Sequence, residues 1–114
     1  MPGPASYNGI GNIINSFVVQ IAIPAGGTIA ANSTVERTYT LPGLRVGDVI
    51  TANKPTAFTS GLGLAMARCS ATDTLALSYI NATAGALSIQ SENWLIQIDR
   101  PGYDAVSQIP TAIA

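Results

Sequence analysis

The sequence predicts an all-β protein, an antiparallel sandwich or small barrel with little helix. Three observations point there. Apolar and polar residues alternate with a period of two in several short runs, turn signals recur at roughly 8- to 12-residue intervals, and no stretch keeps a helical period for about ten residues.

Taken in chain order, residues 1 to 16 mix Pro, Gly and Asn with isolated Ile, which favours an extended arm over a helix. Phe17 to Ile23 is rich in β-branched residues and apolar on both sides, so it reads as a strand that Pro24 closes and Ala25-Gly26-Gly27 turns. Thr34 to Leu41 alternates, with Val35, Arg37, Tyr39 and Leu41 on one side and Glu36, Thr38 and Thr40 on the other. Leu41-Pro42-Gly43 is a turn. A short strand spans Asp48 to Ala52, and the run NKPTAFTSG, 53 to 61, has the composition of a solvent-facing loop.

The following strand places Leu62, Leu64 and Met66 on one face and Gly63, Ala65 and Ala67 on the other. Ser70-Ala71-Thr72-Asp73 forms a tight hairpin, and Leu75, Leu77 and Tyr79 line the core face of the returning strand. Thr74, Ala76 and Ser78 then face water or a neighbouring subunit. Glu92 to Asp99 is the last strong strand, ending before Pro101-Gly102, with Trp94, Ile96 and Ile98 alternating as core. Residues 102 to 114, interrupted by Pro110, read as a second extended arm around a β domain of residues 17 to 101.

Composition narrows the function. At 114 residues the chain fits one domain with a single two-layer core. Hydrophobic residues make up an ordinary 47%, but charged residues only 10%, against roughly a quarter in typical domains. A chain so poor in charge either covers itself with Ser, Thr, Asn and Gly or buries surface against partners. Net charge is −1, and Arg37, Arg45, Lys54, Arg68 and Arg100 are scattered, so no basic stripe exists to neutralise a row of phosphates; nucleic-acid binding is not expected. No apolar run approaches the roughly 18 residues needed to cross a bilayer, and MPGPASYNGIGN lacks the order of a secretory signal, so a soluble protein outside that route is expected, with no membrane partner. Cys69 is alone and forms no internal disulfide, which leaves stability to the core or to an oligomer.

Chemistry is hard to find. Histidine is absent, and with it the usual general base, the commonest zinc ligand and every His-dependent triad. The carboxylates Glu36, Asp48, Asp73, Glu92, Asp99 and Asp104 fall mostly at turns or strand ends, where such groups cap backbone N–H groups or keep the surface wet. Asp48 has no second carboxylate at calcium-loop spacing and reads as a turn residue. Cys69 reads as a small buried hydrophobe. The sequons at Asn32 and Asn81 read as turns, and Gly26-Gly27 and Gly61-Leu62-Gly63 lack the following helix that a phosphate loop requires. Tyr7, Tyr39, Tyr79 and Tyr103 are dispersed and Trp94 sits in a core pattern, so spacing offers no sugar-stacking strip. No enzyme activity, catalytic residue, metal or cofactor is expected.

One resemblance is visible. The order Gly43-Leu44-x-Val46-Gly47-Asp48-x-Ile50, then Arg68-x-Ser70-Ala71-x-Asp73-Thr74-Leu75, then Asn81-x-Thr83-Ala84-Gly85 and the strand Trp94 to Arg100 resembles small β-sandwich decoration, or cement, proteins of tailed-bacteriophage capsids. The likeness spans roughly residues 17 to 101 and rests on turn and core signatures. It implies a jelly-roll-like sandwich, a virion location on the outer capsid surface, the major capsid protein as partner, and homo-oligomers, with trimers favoured. A tail fibre or spike module binding a host-surface glycan is the alternative. Residues 1 to 16 and 104 to 114 are expected to make intermolecular contacts.

Overall fold

The computed structural model describes residues 13–102, and these are all-β and antiparallel. The strands are β1 (Ile13–Ile23), β2 (Thr28–Ile29), β3 (Ser33–Thr40), β4 (Val49–Asn53), β5 (Leu62–Ala71), β6 (Thr74–Asn81), β7 (Leu87–Ser88) and β8 (Glu92–Pro101). No helix occurs among the described residues. Residues 1–12 and 103–114, which hold most of both expected arms together with Tyr7, Tyr103 and Asp104, lie outside the described residues.

Pairing is nested: β1 pairs with β8, β2 with β7 and β3 with β6. Two three-stranded sheets result, β1-β8-β4 and β3-β6-β5, with β2-β7 as a small third. The connections β3 to β4 and β4 to β5 each cross from one large sheet to the other. The inward faces of both contribute to one core, with Leu75, Leu77 and Tyr79 from β6 meeting Trp94, Ile96 and Ile98 from β8. Tyr79 and Trp94 touch edge to face with centroids 6.3 Å apart, so the central strands are joined through their largest side chains. Each fully buried Leu or Ile adds about 1.5–3 kcal/mol of burial free energy, and half of them sit on these two strands.

Several strand limits and faces differ from the sequence expectation. β1 begins at Ile13, not Phe17, because Asn15 and Ser16 pair with Arg100 and Asp99, and Ser16 Oγ donates to Asp99 Oδ1 at 2.6 Å. Correspondingly β8 runs on to Pro101, opposite Ile13. In β5 the register shifts between Leu64 and Met66, since Ala65 is an extra residue on the bulged strand. Every side chain after it changes face: Met66 points outward at 55% exposure while Ala67 and Cys69 turn inward. The two-residue strands β2 and β7 are too short to carry a periodic signal.

The turns are held by named groups. Asp73, at φ 60°, forms the β5–β6 hairpin tip with Thr72, and its carboxylate accepts Gly43 N–H at 2.8 Å. Leu41 N–H donates to Asp73 O, and Asp73 N–H to Leu44 O, which fastens this tip to the 41–44 turn. At the other end of β6, Asn81 is fully buried; its amide donates to Ile29 O at 3.0 Å and Gly85 O at 2.8 Å and accepts from Thr83 N–H and Oγ1–H. Gly61 has φ +89°, and a Cβ there would lie 2.1 Å from Thr83 Cγ2, so only glycine fits where this corner meets the start of β5.

Candidate functional site

The acidic residues proposed from sequence are dispersed and engaged. Asp48 accepts Arg45 N–H at 3.0 Å and two hydrogen bonds from Arg100 at 2.8 and 2.9 Å, while Arg100 also donates to Gly43 O. The Arg100 guanidinium, followed by the Arg45 N–H, holds the Asp48 carboxyl below the ordinary carboxylate range despite its burial. Asp48 is thus the turn residue expected, with a structural cation as partner. Glu36 takes a bidentate pair from Arg68 at 2.8 Å each, which lowers its pKa. Asp99 accepts from Ser16 and Gln97. No group of three or more Cys, Asp or Glu side chains is arranged to hold a metal among the described residues.

Glu92 lines a cleft of about 360 Å³ with Lys54, Thr56, Phe58, Tyr79 and Trp94. The loop 54–61 is mostly exposed, as expected, but Lys54 and Phe58 turn in from it. Phe58 packs edge to face on Trp94 at 5.7 Å, and Lys54 lies over the Phe58 ring at 4.2 Å while pairing with Glu92. Hydrogen bonds from Lys54 and Thr56 lower the Glu92 pKa, and burial followed by the Tyr39 hydroxyl, 3.0 Å away, pushes the Tyr79 phenol well up. Glu92 is the one carboxylate lining the cleft, so two opposed carboxylates, as a glycosidase needs, do not meet here. Trp94 is only 3% exposed; it is a core residue and offers no open ring for a sugar.

Cys69 is buried, with its thiol donating to Ala71 O, as expected of a small core residue. Asn32 sits in a turn at φ 51°, as expected, whereas Asn81 is the last residue of β6, paired with Ser33 and Leu62, and its amide is fully engaged.

The larger surface features are the outward sheet faces. On β1-β8-β4 the strand registers bring together Ser16, Val18, Gln20 and Ala22, then Asp99, Gln97, Leu95 and Asn93, then Val49, Thr51 and Asn53. No Lys or Arg is among them, and the single acid, Asp99, is already hydrogen-bonded. Val18, Val49 and Leu95 are 62%, 58% and 41% exposed on this face. Sequence reasoning left these three unassigned, because β1 is apolar on both sides and alternation cannot say which side is covered.

The outward face of β3-β6-β5 is different. Arg68 on β5 reaches across β6 to Glu36 on β3, and Ser78 also donates to Glu36. Ala76, expected at a surface, lies fully buried on the strand they bridge.

No family model matches the chain, and no curated protein or solved structure does either.

Proposed function

We propose that the protein is a capsid decoration protein, a homo-oligomeric structural component that binds the outside of an icosahedral phage head and ties neighbouring capsomers together. The carrying observation is the charge-poor outward face of β1-β8-β4, where Asp99 is the one ionisable group and Val18, Val49 and Leu95 are exposed. Interface cores are depleted in Lys, Glu and Asp, and a three-stranded surface of amides, hydroxyls and aliphatics with a single carboxylate approaches that description. The nested pairing of β1–β8, β2–β7 and β3–β6 supports a jelly-roll-like sandwich, because such a fold is a long antiparallel hairpin rolled up on itself. Turn motifs at Asp48, Asp73 and Asn81, which carry the resemblance, are the groups that fasten the connections.

A cement role asks for modest contacts repeated many times rather than one deep site. Each bound copy stabilises only the assembled shell, so its binding free energy is added to the cost of rupture at every seam. The test is co-sedimentation with undecorated capsids. The folded protein is expected in the capsid pellet at saturating, countable occupancy; folded protein that stays in the supernatant contradicts the reading.

A further inference from the structure

We infer that β1 is a self-pairing edge, which joins two copies of this chain across a two-fold axis into one continuous six-stranded sheet. Four strands end the two large sheets, namely β1, β4, β3 and β5. Three carry a device that discourages pairing. β4 is only five residues long, β3 presents Glu36 and Arg37, and β5 has two register shifts and Arg68. β1 has none of these. It is eleven residues, IINSFVVQIAI, without a charge or a proline, and its one register shift is at its first residues. Among the described residues it pairs with β8 alone, which leaves its other row of N–H and C=O groups without a strand.

A second copy fits this edge for reasons of charge and shape. Around a two-fold axis each residue meets its own kind or a near neighbour, so an edge bearing charge would repel itself. β1 is neutral along its whole length, and any antiparallel register of it is free of like charges. Full overlap centres the axis on Val18: Val18 faces its own copy, Phe17 faces Val19, and Ser16 faces Gln20. Phe17 lies on the inward side of β1 yet is 39% exposed beside an apolar cleft of about 290 Å³, so the core is incompletely covered at this edge. Pairing places a second Val19 next to it.

Eleven paired residues span about 36 Å. A single paired edge is smaller than the roughly 1,200–2,000 Å² of a standard specific interface, so association is expected to depend on concentration. Pairing also doubles the charge-poor outward face into a single surface. The inference does not depend on what that surface binds, and it differs from the trimer the resemblance implies.

Cross-linking of the full-length protein tests it, in a Cys69→Ser background that keeps the buried hydrogen bond to Ala71 O. In the paired state the two residue-18 Cβ atoms lie about 5 Å apart, whereas two residue-49 positions are five strand spacings, about 24 Å, apart. Val18→Cys is expected to give a covalent dimer with the shortest bis-maleimide, and Val49→Cys to give little. Val18→Lys, at a site open enough to keep the fold, is expected to raise the dimer dissociation constant at least tenfold in sedimentation velocity. A trimer or larger species in which Val18→Cys does not link overturns the two-fold pairing. So does a strictly monomeric protein whose β1 amides exchange slowly, because residues 1–12 or 103–114 of the same chain would then cover the edge.

Discussion

The two outward sheet faces are built from the same number of strands over the same core, yet they treat charge in opposite ways. On β3-β6-β5, Glu36 and Arg68 satisfy one another across the central strand, and the alanine between them is buried. On β1-β8-β4 no such pair exists, and three aliphatic side chains stand open to solvent. The first face balances its charges within one chain, although Met66 and Ile80 are also exposed on it. The second carries no basic group, and the proposed function and the proposed pairing both fall on that side.

The largest expected effect comes from removing what the faces share. Trp94→Ala deletes the ring that meets Tyr79 and Phe58 beneath both sheets and should cost about 3–5 kcal/mol in chemical denaturation. Probes on the two faces should still unfold together, since one core serves both; separate transitions would mean that the sheets are independent. Next is Asn81→Ala, which strips partners from Ile29 O, Gly85 O and Thr83 N–H at the end of β6. A loss of about 2–3 kcal/mol is expected, with faster hydrogen exchange around residues 29–33 and 81–85 and little change in β1 and β8.

Acid should sharpen the contrast further. Glu36, Asp48 and Glu92 all have depressed pKa values in the folded chain, through Arg68, Arg100 and Lys54 respectively. A depressed carboxylate contributes its stability above the unfolded pKa and loses it as pH falls through the lower folded value. Thermal stability should therefore be flat above about pH 5 and decline from about pH 4 downward. The smallest effect is expected from Arg68→Ala. Its pair with Glu36 is solvent-exposed, so the melting temperature should barely move, although Ala76 becomes accessible.

Most strands were legible because their patterns are one-sided. Val35 to Leu41, Leu75 to Tyr79 and Trp94 to Ile98 alternate, and each set faces the core as the alternation requires. Met66 was misread because a bulge is one inserted residue, and nothing in LGLAMARCSA marks Ala65 as the extra one. The loop 54–61 is exposed as its Pro, Thr, Ser and Gly suggest, but Phe58 and Lys54 find an aromatic and an acidic partner that only the folded chain supplies. The candidate surface was the least legible part. Its residues come from β1, β4 and β8, and only strand register shows that Val18, Leu95 and Val49 share a side.

In the proposed function the charge-poor β1-β8-β4 face, and not the face bearing Glu36 and Arg68, contacts the shell. Capsid co-sedimentation of Leu95→Glu beside Thr38→Glu tests it directly, because both sites are exposed and lie on opposite faces. At least a tenfold loss of binding is expected for Leu95→Glu, and unchanged binding for Thr38→Glu. Full binding by folded Leu95→Glu, with loss confined to Thr38→Glu, would contradict it.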